Sequence, residues 1–300
     1  MAKVRSWWLG EAFRLPVLPL LGGLALVLAG GAGCAVAGPD ALARAQARAA
    51  RADRLLARAA EDSLLRTEQD LPTAVRVGLW ARRFQAAAGV RYVFGPAADG
   101  YVAERDLVRD HRQDCISLLY RCAELARARS ADDAVAVALQ TRFAGADPAA
   151  VVDAEGRVDY DHPSHLDYSL DMIRSGHWGA DVTAAVGVAR PDTVGTARYP
   201  AGSYAYLPKE ALREGALSEG DVVWFVLDPS VPSARRLRDE HGLVIGHVGL
   251  VVIDDGQPWL VHAAVSGLTG WYEGGTVVKV PLGEYLARME RFAGVMVTRF

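Results

Sequence analysis

A chain of 300 residues is long enough to bury a substantial core in one large or two small domains, and 51% hydrophobic with 23% charged residues is the composition of a globular protein. A formal net charge of −3 leaves no basic footprint for nucleic acid, and 14 Pro and 30 Gly are too few for a fibrous or disordered chain.

The first residues, "MAKVRSWWLGEAFR", are net basic, and "LPVLPLLGGLALVLAGGAG" follows without a charge. Cys34 and "AVAGPD" come next. A basic start, an apolar run and small residues at a cut site are the order of a secretory leader, so residues 1–37 read as a signal segment and the protein as exported. Cleavage after Ala37 would follow an A-x-A pattern. "GAGC" also has the form of a bacterial lipobox, which would make Cys34 a lipidated first residue and a membrane anchor, although Gly31 stands where such boxes usually carry Leu. An uncleaved anchor is the third reading, since about nineteen apolar residues suffice to span a bilayer.

Residues 40–68, "DALARAQARAARADRLLARAAEDSLLRTE", are nearly all strong helix formers. The apolar face is mostly Ala, which predicts weak packing or a spacer, and residues 38–75 are read as a helical N-terminal segment ahead of a domain at 76–300. A second helix is expected in "LPTAVRVGLWARRFQAAAG", between Pro72 and Gly89. After a short extended piece, "VRYVFGPAADG", a helix over 114–128 opens with Asp114 as N-cap. It carries Leu118, Leu119, Cys122 and Leu125 on one side.

The region 129–205 reads as loop-rich. Beyond it, Val222–Leu227 is an apolar run too short for a helix, and "LVIGHVGLVVID", "PWLVHAAV", "GTVVKVPL" and "AGVMVTRF" follow as further strands. "DDGQ" carries an Asp-Gly hairpin signal. The segment "DPSVPSARRLRDEHGLVIG" reads as a long basic connection, a surface loop or part of a cleft. Helices first and an antiparallel meander afterwards predict an α+β fold.

Cys115 and Cys122 lie seven residues apart, about 10.5 Å along one helix, whereas a disulfide needs Cα atoms within about 7 Å. They do not pair, and the same spacing is awkward for a shared metal. Cys122 falls in the apolar stripe as a small hydrophobe. Cys115 falls at the helix start, where backbone N–H groups and the helix dipole favour a thiolate and an acyl oxyanion. From position alone it is either a nucleophile or a structural Cys.

A thiol nucleophile needs a base, and the base a partner to orient it. His247 lies in a Val/Leu/Ile strand between Gly246 and Gly249, and His262 lies on the next strand past the "DDGQ" turn. Adjacent antiparallel strands bring such positions within reach of a ring-to-ring hydrogen bond. Two unrelated core histidines are the competing reading. His162, His165, Asp167, His177 and Asp181 lack the spacing of helical zinc motifs, so no metal or other cofactor is expected.

"DC" opening a helix, "GDVVWFV", "HVGLVV" and "LVHAA" together resemble the NlpC-type cell-wall hydrolases, papain-like cysteine peptidases and amidases. "YVFG", "YLPKEAL…L…GDVV" and "PLGEYLARM" resemble, more narrowly, the N-acetylmuramoyl-L-alanine amidase-like branch (domain of unknown function 1460). The resemblance covers residues 78–300. It implies Cys115 as nucleophile, His247 as base and His262 as orienter, with Tyr92 beside the nucleophile and Tyr168 and Trp178 as substrate contacts. It implies peptidoglycan fragments as partners and cleavage of the bond between N-acetylmuramic acid and L-alanine. A stem-peptide endopeptidase, an acyltransferase using the same three residues, and a catalytically silent envelope lipoprotein that binds wall fragments are the alternatives.

Overall fold

A computed structural model describes residues 41–166, 169–194 and 202–300. The expected leader with Cys34, and Tyr168, lie outside the described residues. No helix among the described residues is long and apolar enough to cross a membrane.

The elements run α1 (Ala41–Ala49), α2 (Arg58–Thr67), α3 (Thr73–Ala86), β1 (Arg91–Tyr92), α4 (Tyr101–Glu104), β2 (Arg112–Gln113), α5 (Cys115–Arg127), α6 (Ala131–Arg142), α7 (Pro148–Val151) and α8 (Leu170–Ser175). They continue as β3 (Ala180–Asp181), β4 (Arg190–Val194), β5 (Gly202–Pro208), β6 (Val222–Leu227), α9 (Pro232–His241), β7 (Ile245–Asp254), β8 (Gln257–Ala264), β9 (Thr276–Pro281), α10 (Leu282–Arg288) and β10 (Phe292–Arg299). Helices dominate the first half and an antiparallel sheet the second. The architecture is α+β.

The main sheet has the order β4-β5-β10-β6-β7-β8-β9. Strand β6 is buried along its whole length because both faces are covered. Val222, Trp224 and Val226 face a core with α3 and α5, while Val223, Phe225 and Leu227 face a second core with α9 and α10. The β7–β8 turn is the expected Asp-Gly hairpin, with Asp255 at φ 50° and Gly256 at φ 74°. Positive φ at both positions matches the right-handed twist of the flanking strands.

Three expectations need correction. The meander runs only from β6 to β9; β10 returns past α10 to pair with β6 on its other side. Leu282, Tyr285 and Leu286 of α10 bury against the sheet, so the chain is carried beneath it instead of turning back as a hairpin. The expected loop after β6 is partly helix: Pro232 opens α9 and Gly242, at φ 66°, closes it. Buried Arg238 of α9 donates to the Leu227 carbonyl and to Tyr204 Oη. The helix expected over 40–68 is two helices, and α1 is packed. Its Ala41, Ala45 and Ala49 bury against a core with Val135 and Phe143. Small side chains permit that approach: a Cβ on Gly156 would sit 2.3 Å from the Arg44 carbonyl oxygen.

Helix α5 is the axis of the helical layer. Asp114 caps its start, accepting from Ile116 and Ser117 N–H at 3.0 and 2.7 Å, while Asp114 N–H donates to Ser117 Oγ at 2.9 Å. Buried Arg76 of α3 donates to the Leu125 and Ala128 carbonyls and so satisfies the other end. The apolar stripe buries as the spacing predicts, each Leu contributing about 1.5–3 kcal/mol relative to exposure. The polar side is buried too. Arg121 pairs with Asp110 at 2.7 Å, and Arg142 of α6 holds Glu124 at 2.7 and 2.9 Å. Glu124 thus lies between two guanidinium groups, Arg121 Nη1 being 3.3 Å from it.

Removing one partner from such a network strands the others in a dry interior. Glu124→Ala is expected to lower unfolding stability by about 3–5 kcal/mol in urea titrations. A loss below about 1 kcal/mol would mean that the network is hydrated.

Candidate active site

The capping arrangement fixes Cys115 as the first residue of α5, half-buried at the edge of the core and outside any disulfide. Cys122, two turns further along the helix, is fully buried, and burial pushes its thiol well above the ordinary range. The two cysteines have the separate fates their spacing implies. The N–H groups of Ile116, Ser117 and Leu118 are engaged by Asp114, so these three are not the expected oxyanion donors. The helix as a whole adds its positive N-terminal dipole end.

Helix α5 packs directly on β7 and β8. On those strands His247 Nε2 lies 2.9 Å from His262 Nδ1, with the rings at 86° and their centroids 4.9 Å apart. Two local features allow this. The β6–β7 register slips between the pairs Phe225–His247 and Val226–Ile245, a bulge at Gly246 that re-aims the His247 side chain. Gly249 leaves the required gap, since a Cβ there would meet His262 Cβ at 3.1 Å and Leu260 Cδ1 at 2.5 Å. His262 is only 1% exposed, whereas His247 is half-buried at the end of the pair that opens outward.

Aromatic rings hold the pair. Tyr285 of α10 has its ring 4.8 Å from His262 and 6.1 Å from His247, and Phe292 stacks on His247 at 16°. Burial pushes His262 down to about 3. His247 is also driven well below the ordinary histidine value, first by burial and then by His262 and Arg291. Both imidazoles are therefore neutral near pH 7, and one proton lies between them. Neutral rings are what a base and its orienter require at rest.

Cys115 belongs to the same locality. Burial raises the phenols of Tyr285 and Tyr92, and negative charge on Cys115 raises both further. Tyr285 is thus within electrostatic reach of Cys115 and in ring contact with both histidines, and Tyr92 is within electrostatic reach of Cys115. Trp178 does not serve as expected. It is 1% exposed, its ring 5.5 Å from Tyr120 inside the core, and has no face to offer a ligand. In the middle cluster, His165 lies against Phe143 and Tyr160. No group of three or more His, Cys, Asp or Glu among the described residues is arranged to hold a metal. Tyr285 and Arg291 escaped the sequence reading of the site. Tyr285 lies inside the quoted "PLGEYLARM", so its position was visible although its contact was not.

No family model matches the chain, and no curated protein matches it. Solved structures do. An N-acetylmuramoyl-L-alanine amidase from Bacteroides uniformis ATCC 8492 superposes with a TM-score of 0.53 at 21% identity, over 76% of this chain and 98% of that one. A protein from Legionella pneumophila str. Philadelphia 1, of domain of unknown function 1460, gives 0.56 at 16% identity, over 80% and 93%. The chain has their fold. Their names, the amidase and domain of unknown function 1460, are both those of the narrower branch that the motifs resemble, and the similarity extends over nearly the whole of each.

The histidine pair has a consequence for stability. Unfolded histidine titrates near 6.5, and folded His262 near 3, so between those values the unfolded chain binds the extra proton. Stability is full above about pH 6.5 and falls as pH drops toward about 3, by about 1 kcal/mol per pH unit for this residue. In urea unfolding at pH 7, 5 and 4, His262→Gln is expected to show a shallower acid decline than the parent chain. Equal slopes would mean that His262 is not buried neutral.

Proposed function

We propose that the protein is an exported, papain-like cysteine hydrolase of the NlpC type that cleaves an amide bond in peptidoglycan fragments, with the N-acetylmuramoyl–L-alanine bond as its target. The observation that carries this reading is the 2.9 Å bond between His247 and His262, on the two strands that α5 packs against. The activity for which the Bacteroides uniformis neighbour is named supports the choice of linkage, at an identity of 21%. The leader-like residues 1–37 support export, with lipidated Cys34 as the anchor.

In this reading His262 keeps its proton on Nε2 and accepts at Nδ1 from His247 Nε2–H. That tautomer leaves the lone pair of His247 Nδ1 to act as base. Sγ of Cys115 attacks the amide carbonyl as His247 Nδ1 takes the thiol proton. The C–S bond forms and negative charge moves to the carbonyl oxygen, near the positive end of the α5 dipole. The intermediate collapses with cleavage of the C–N bond, and His247 returns the proton to the leaving amine. Water then attacks the thioester with His247 again as base. A carboxylic acid leaves and the thiol is restored. His262 touches no substrate in this scheme; it fixes the His247 ring and tautomer.

The purified chain is expected to release free L-alanine-headed peptide from muropeptides, detected by liquid chromatography with mass spectrometry. Cys115→Ala should reduce the rate by at least about a thousandfold, the usual scale for loss of a covalent nucleophile. Undiminished turnover in that variant would remove Cys115 from the mechanism. Products cut within the stem peptide would keep the mechanism and move the target bond.

A further inference from the structure

Tyr285 brings a polar group to the site as well as a ring. Helix α10 buries Leu282, Tyr285 and Leu286, which its period places on one face, against the sheet. The Tyr285 ring lies among Phe225, His262 and His247, with centroids 5.2, 4.8 and 6.1 Å away. The residue as a whole is only 3% exposed. Packing therefore fixes the phenol relative to the base and its orienter.

The hydroxyl is treated differently from the ring. Tyr285 Oη makes no hydrogen bond with any described residue, and it is not enclosed. A tyrosine buried to this degree ordinarily finds a protein partner for its O–H. Here the donor is left open to a group that enters from solvent. Burial, and then Tyr272 and Cys115, hold the phenol above its ordinary range, so near pH 7 the proton stays on oxygen. The influence of Cys115 also places the hydroxyl in the locality of the thiol.

The proposed hydrolysis calls for a donor there. The N–H groups of Ile116, Ser117 and Leu118 are engaged by Asp114. The dipole of α5 is diffuse, whereas an acyl oxyanion is best held by directed donors at about 2.7–3.1 Å.

We propose that Tyr285 is a catalytic residue, its phenolic O–H donating a hydrogen bond to the carbonyl oxygen of the scissile amide as negative charge develops there. This role rests on the reading of Cys115 as nucleophile. Attack by Sγ moves the carbonyl electron pair onto oxygen, and the Tyr285 hydrogen bond strengthens. Collapse returns the pair as the C–N bond breaks, and the proton stays on Tyr285 throughout. The same bond forms again when water attacks the thioester.

Tyr285→Phe keeps the ring and removes only the hydroxyl. Steady-state hydrolysis of muropeptides by the full chain is measured beside alkylation of Cys115 by iodoacetamide, a displacement that forms no oxyanion. In the variant kcat is expected to fall about a hundredfold with KM within about twofold of the parent value, the scale for loss of one oxyanion donor. The alkylation rate is expected to stay the same. A ring that only holds the histidines would leave kcat unchanged, or would slow hydrolysis and alkylation together; either result overturns the proposal. No turnover in the parent chain would overturn the hydrolase reading and this role with it, so the two failures are distinct.

Discussion

The structure turns on one buried carboxylate. Asp114 ties Gly95 N–H at 2.9 Å on one side and the first turn of α5 on the other. Burial pushes its carboxyl up and these hydrogen bonds pull it down, with burial prevailing. Because one side chain holds the "YVFG" segment and the helix start together, Cys115 and Tyr92 are fixed relative to each other. An N-cap of this kind contributes about 1–2 kcal/mol in ordinary helices. Its larger effect here is positional, since the first helical residue has little freedom once the turn below it is locked.

The rest of α5 shows what holds that position rigid. A helix that is apolar on one face and charged on the other ordinarily puts the charges in water. Here Arg121 and Glu124 are enclosed by Asp110 and by Arg142 of α6. Such networks gain little net stability over a well-packed apolar core, because desolvation offsets the Coulombic attraction. What they do impose is register, since Arg142 also donates to Tyr160 Oη and the Leu107 carbonyl. A helix pinned at both ends and along its polar side, and packed on β7 and β8, gives its first residue, Cys115, a defined position.

Much of this was legible in the residues, for identifiable reasons. The helix start was readable because Asp is a capping type directly before an apolar period, and the four strands from Val222 to Pro281 because buried strands are continuous apolar runs broken by turn residues. The histidine contact followed from strand adjacency. Topology at β10 was not readable, since a strand at the C-terminal end pairs with whichever neighbour the intervening helix delivers it to. The strands at 190–194 and 202–208 alternate weakly, and as far as residue 205 they fall in the stretch that reads as loop-rich. Trp178 shows the limit of resemblance: the branch implies a substrate contact there, yet the space beside Tyr120 claims the ring for the core. The bulge at Gly246, which aims His247, leaves no signal beyond the glycine itself.

The central claim is that His247 acts on Cys115. It is tested most directly by the rate at which a thiol-directed alkylating probe modifies Cys115 at pH 7, read by peptide mass in the parent chain and in His247→Gln. The account expects rapid modification of Cys115, slowed at least about tenfold in the variant, with buried Cys122 unmodified in both. Equal rates at Cys115 in the two chains would contradict it.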